Sequence, residues 1–123
     1  MTVSSLLLRV SIVLLLLGLI VGIGMASHQD FTYAPAHAHL NLIGGVLMFL
    51  AGLYYRVVPQ AGVGVLAKTQ ATLHIIGAVF FPIGIAAVLT NPHFEFLAII
   101  GSLIVLAAIG LFAFIIFRTS ASA

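Results

Sequence analysis

Residues 6–25 read LLLRVSIVLLLLGLIVGIGM, broken by a single charge at Arg9. A bilayer core about 30 Å thick asks for about 20 apolar residues in a helix, so this stretch is long enough to cross one. Three further stretches match it, roughly Pro35–Val58, Leu66–Thr90 and Pro92–Phe117. The whole chain agrees. Of its 123 residues, 63 % are hydrophobic and 5 % charged, with a mean hydropathy of +1.37; soluble domains carry about 25 % charged residues. Soluble enzymes, nucleic-acid binders and disordered regulators are excluded on that composition. The expectation is an all-α integral membrane protein, one domain over 1–123, with four transmembrane helices near 6–25, 35–58, 66–90 and 92–117. The first stretch has no acceptable cleavage break before Met25 and exceeds a signal-peptide core in length, so it reads as a retained span.

The few charges orient this bundle. Arg9, Arg56, Lys68 and Arg118 all fall at one end once the spans alternate, and Asp30 and Glu95 fall at the other. The positive-inside rule then puts both termini in the cytoplasm, and a bacterial inner membrane is the expected location. Pro35 and Pro92 suit the first turn of a helix, where a missing N–H costs nothing. Asn91 suits a helix cap, and Pro82 should kink the third span. Gly18 and Gly22 form a G-x-x-x-G pattern, which serves close packing inside one chain or a face between copies.

No cysteine is present, which removes disulfides, thiolate metal sites and covalent c-type haem. Five histidines remain in a chain with six charged residues. His28, His37, His39 and His93 lie towards the acidic end. His74 lies six residues beyond Lys68, about 9 Å along a helix from the basic end. It is too far from His39 to share a metal with it, and reads either as a functional intramembrane group or as a polar side chain bonding a neighbouring helix. His37 and His39 are two residues apart, about 200° round a regular helix, and so face opposite flanks. Asn41, Gly44, Met48 and Tyr55 follow His37; Leu42, Ile43, Val46, Leu50 and Leu53 follow His39. An apolar wall with one imidazole near its top suits a flat macrocycle with an axial ligand, and equally suits lipid or another helix.

The run His37-Ala38-His39-Leu40-Asn41-Leu42, followed by Gly52-Leu53-Tyr54-Tyr55 and Val58-Pro59, resembles the second transmembrane helix of the large subunit of nitric oxide reductases, in the haem–copper oxidase superfamily. Small four-helix proteins described as cytochrome c oxidase-like share the opening Pro-Ala-His-Ala-His-Leu-Asn-Leu. The resemblance covers mainly Phe31–Pro59. It implies a non-covalent haem b, with His39 as the axial ligand, His37 as a second ligand and Asn41 beside them. The superfamily's catalytic subunit builds three arcs of four helices about a pseudo-threefold axis. A homotrimer of this chain would resemble it, with His37 facing one cleft between protomers and His39 the other; a dimer is the alternative assembly.

The superfamily's oxygen- or NO-reducing centre needs several more histidines, and none stands at the right depth, so the expectation is electron transfer or redox or haem sensing rather than catalysis. The propionates lack an Arg or Lys at the acidic end and would fall to backbone N–H groups, water, His28 or His93. Two other readings stand beside this one. A copper or zinc site at the acidic end would draw on His28, His37, His93 and Glu95, with His74 a further, more distant candidate ligand. A non-catalytic accessory membrane subunit would use its histidines only for hydrogen bonds. The expected partners are membrane lipid, further copies of the chain and an unidentified redox partner, with no nucleic acid.

Overall fold

The computed structural model describes the backbone of residues 1–122 and the side chains of residues 1–119. Four helices in it are long and apolar enough to cross a membrane: α1 (Val3–His28), α2 (Ala34–Val57), α3 (Gly64–Thr90) and α4 (Glu95–Ser122), the last entered through a single 3₁₀ turn, Pro92–Phe94. Among the described residues there is no strand. At about 1.5 Å per residue, the 26 residues of α1 span about 39 Å.

Local chemistry sets the ends. The Thr2 hydroxyl accepts the Ser5 N–H at 3.1 Å and starts α1. Gln29 ends it in the left-handed region at φ 51°, and its N–H and that of Asp30 return to the Ala26 and Met25 carbonyls. Pro35 and Pro92 occupy first-turn positions as their sequence suggests, and Asn91 Oδ1 accepts the His93 N–H at 3.0 Å. In the first connection Asp30 accepts the Thr32 hydroxyl and N–H. These two bonds, the side-chain one foremost, hold its carboxyl below the ordinary aspartate value.

Each helix packs chiefly on its neighbours in sequence, so the four form a row: α1 on α2, α2 on α3, α3 on α4. Neighbours run antiparallel. Ser4 at the start of α1 donates to the Gly52 carbonyl late in α2 at 2.9 Å, and Arg56 ties the same ends together through Ser4 and Ser5. Between α3 and α4 the backbones come close enough that a Cβ on Gly84 would lie 2.8 Å from the Leu97 carbonyl. The buried residues include Leu7, Leu14, Ile43, Met48, Ala51, Tyr55, Ala71 and Ala78. The outward surface is apolar: Ile23 is 70 % exposed, Leu106 68 % and Phe117 77 %. For an isolated chain in water such a surface would be an aggregation liability.

Pro82 stays within a continuous α3. The winding changes in α2, where residues Leu40–Leu47 form a π-helix, with α-helix before and after.

Candidate functional site

The π segment follows directly on His39, and it changes which side chains share a face. In a π turn the ladder runs i to i+5 rather than i to i+4. Residues below the segment are therefore carried round relative to those above it. On a regular helix Ile43, Val46 and Leu50 would continue the flank of His39. In the structure they divide. Ile43 turns inward and is buried. Val46 and Leu50 instead line a cleft with Ser11, Ile12 and Leu15 of α1, while the His39 ring stands edge-on to Phe81 of α3, 5.0 Å between centroids. The continuous apolar wall expected beneath His39 is thus broken: Ile43 turns away from it, Val46 and Leu50 border α1, and Phe81 of α3 stands beside the ring.

The widened ladder also leaves the Ile43 carbonyl open to a side-chain donor, and His74 supplies it. His74 Nε2–H donates to this oxygen at 3.0 Å. A carbonyl only accepts, so the proton sits on Nε2 and Nδ1 is left as the acceptor. Gln70 Nε2 donates to that Nδ1 at 3.3 Å and also reaches the Ala108 carbonyl of α4 at 3.5 Å. Gln70 Oε1 in turn accepts the Tyr55 hydroxyl at 3.0 Å. Tyr55, Gln70 and His74 are all buried. This spine joins α2, α3 and α4 with each polar group answered, as burial in apolar surroundings demands. Of the two readings of His74, the structure shows the second: both ring nitrogens are spent on the protein.

His39 has the complementary arrangement. Its Nδ1–H donates to the Pro35 carbonyl one turn earlier at 2.7 Å. Nε2 carries the lone pair, and no described residue hydrogen-bonds it. A metal-ligating imidazole is typically held this way, one nitrogen anchored to a carbonyl and the other presented outward.

His37 points away from His39, as their spacing requires, but inward: its ring lies over Gly22 of α1, where a Cβ would sit 2.9 Å from Cε1. Asn41, one turn on, lies over Gly18, and a Cβ there would collide with Asn41 Oδ1. The two glycines of α1 thus receive the His37 and Asn41 side chains of the same chain. Asn41 Nδ2 donates to His37 Nε2 at 3.3 Å, which leaves His37 Nδ1 and Asn41 Oδ1 buried without a partner. His37 also edges an apolar groove of about 370 Å³ between α1 and α3, with Leu17, Val21, Leu40, Pro82 and Ile83.

His28 and His93 stand at the acidic end. His28 Nδ1 bonds its own helix at the Gly24 carbonyl, 2.9 Å away. Among the described residues no three of His, Cys, Asp or Glu come together as a metal-holding group. Sequence reading missed the π segment, and with it Gln70 as a partner of His74 and Tyr55 as a partner of Gln70. The adjacent pair Gly44-Gly45, inside the segment, is the one local sign of irregular winding.

No family model, curated protein or solved structure matches the chain.

Proposed function

We propose that this chain is an integral membrane protein, with both termini cytoplasmic in a bacterial inner membrane, that holds a b-type haem through His39. The observation that carries the reading is the anchored imidazole: Nδ1 bound to the Pro35 carbonyl at 2.7 Å, Nε2 unpartnered at the side of the row. The residues fit an axial ligand of this kind. The sequence resemblance assigns the same histidine.

The inward turn of His37 alters the assembly that the resemblance suggests. A threefold arrangement would need His37 to face a neighbouring copy, whereas its ring lies over Gly22. We favour a twofold pair in which each copy presents His39 to one haem, since a self-complementary interface brings identical side chains together. A haem with two imidazoles supplies one-electron redox chemistry and has no open coordination position, so the reading is electron transfer or redox sensing. Propionates at the acidic end would meet His28, His93 and the helix-start N–H groups near Asn91.

The test is to express the chain with haem in excess, purify it in detergent and record oxidised and reduced absorption spectra together with the particle mass. A Soret band with sharp reduced visible bands, at one haem per two chains, supports the proposal. A colourless protein carrying copper or zinc contradicts it in favour of the metal reading. A colourless, metal-free protein leaves an accessory membrane subunit.

A further inference from the structure

At the basic end, a cavity of about 420 Å³ opens between the starts of α1 and α3 and the end of α2. Its lining includes Ser4, Tyr55, Arg56, Gly62, Gly64 and Lys68. Two cations from different helices therefore border one space. The chain's two acidic side chains stand at the opposite end, Asp30 in the first connection and Glu95 at the start of α4, so neither can neutralise them. Arg56 is held in place: Nε donates to Ser4 Oγ at 3.0 Å and Nη2 to Ser5 Oγ at 3.1 Å. Among the described residues Nη1 carries no partner. Lys68 projects from the first turns of α3, and that helix begins without a side-chain cap at Val63, so its leading N–H groups add positive potential on the same side. Val63 of the lining is 70 % exposed, and Val57 and Val65, next in sequence to the lining residues Arg56 and Gly64, are 77 % and 78 % exposed.

We infer that this cavity binds a phosphate group, and that its source is the headgroup of an anionic phospholipid. A fixed guanidinium suits phosphate oxygens through paired N–H bonds, and a lysine adds a mobile charge. Basic pockets between helix ends at the cytoplasmic surface are where anionic headgroups settle. The exposed valines beside the cations give acyl chains a surface that a free anion would not use.

Native mass spectrometry of the full chain in detergent tests this, with phosphatidylglycerol, phosphatidylcholine and inorganic phosphate as probes. The expected result is selective retention of phosphatidylglycerol over phosphatidylcholine. Lys68→Gln should weaken that retention about fivefold, and Arg56→Gln about fivefold again, from the strength of one basic side chain near a charged surface. Arg118→Gln, at the same end but outside the cavity, should leave it unchanged. Lys68 is exposed and makes no tertiary bond, so that variant keeps the test sound if loss of Arg56 disturbs folding. Equal retention of the two lipids overturns the proposal, as does equal weakening by Arg118→Gln. Displacement of the lipid by millimolar inorganic phosphate would overturn the lipid as the source.

Discussion

The start and the middle of α2 both meet histidines, and they treat them in opposite ways. At the middle, within the π segment, His74 reaches across from α3 and spends both ring nitrogens, one on the Ile43 carbonyl and one on Gln70 of its own helix. At the start, His39 spends only Nδ1, on its own helix, and His37 keeps a buried Nδ1 with no partner among the described residues. The pair teaches how to separate a structural histidine from a candidate ligand when both sit in apolar surroundings. Burial alone points the wrong way, since His74 is the most enclosed of the five. What differs is the number of nitrogens left over. Buried polar groups are satisfied as a rule, and a lone pair kept free beside an anchored N–H is the exception that suggests a ligand.

Substitutions can break this contrast, and the buried spine should respond most. His74→Leu removes the donor to the Ile43 carbonyl and the acceptor of one Gln70 N–H, two buried bonds at once. The expected loss is about 3 kcal/mol, read as the midpoint of unfolding in mixed detergent and sodium dodecyl sulfate. An unchanged midpoint would show that the π segment holds without His74. Gly18→Ala should cost about 2 kcal/mol in the same assay, because the added methyl meets Asn41 and the α1–α2 seam must open. Tyr55→Phe removes one hydroxyl from the spine and leaves Gln70 its other contacts, for about 1 kcal/mol. Gly24→Ala sharpens the comparison from the other side. Nothing lies within 4 Å of a Cβ there, so the midpoint should hold or rise by about 0.5 kcal/mol. A fall as large as that of Gly18→Ala would mean that α1 resists any added side chain, rather than yielding its glycines to His37 and Asn41.

The sequence discloses the parts of this molecule that depend on local composition. Four apolar stretches, the prolines at first turns, the Asn91 cap and the gathering of the four bases at one end all follow from residue type and order. The structure lengthens α1 at both ends, to Val3 and His28, because Thr2 caps it early and Gln29 ends it late. The opposed directions of His37 and His39 are also legible, being a matter of helix geometry over two residues. The winding of Leu40–Leu47 is not, because its partner His74 is thirty-one residues away from Ile43 and no local pattern announces that bond. An α-helical phase carried through that segment puts Ile43, Val46 and Leu50 on the wrong side of α2. The receipt of Asn41 and His37 by Gly18 and Gly22 is hidden for the same reason. Each pair shows a four-residue spacing, but only tertiary packing sets one against the other.

The difference spectrum of His39→Ala, taken beside the parent protein after haem-replete expression, bears most directly on the free imidazole. The account predicts that the sharp reduced bands of a six-coordinate low-spin haem vanish while the detergent-unfolding midpoint stays within about 1 kcal/mol of the parent, as a change at a partly exposed side chain allows. Bands that persist unaltered in this variant would contradict it, and would show that whatever grips the iron is another group.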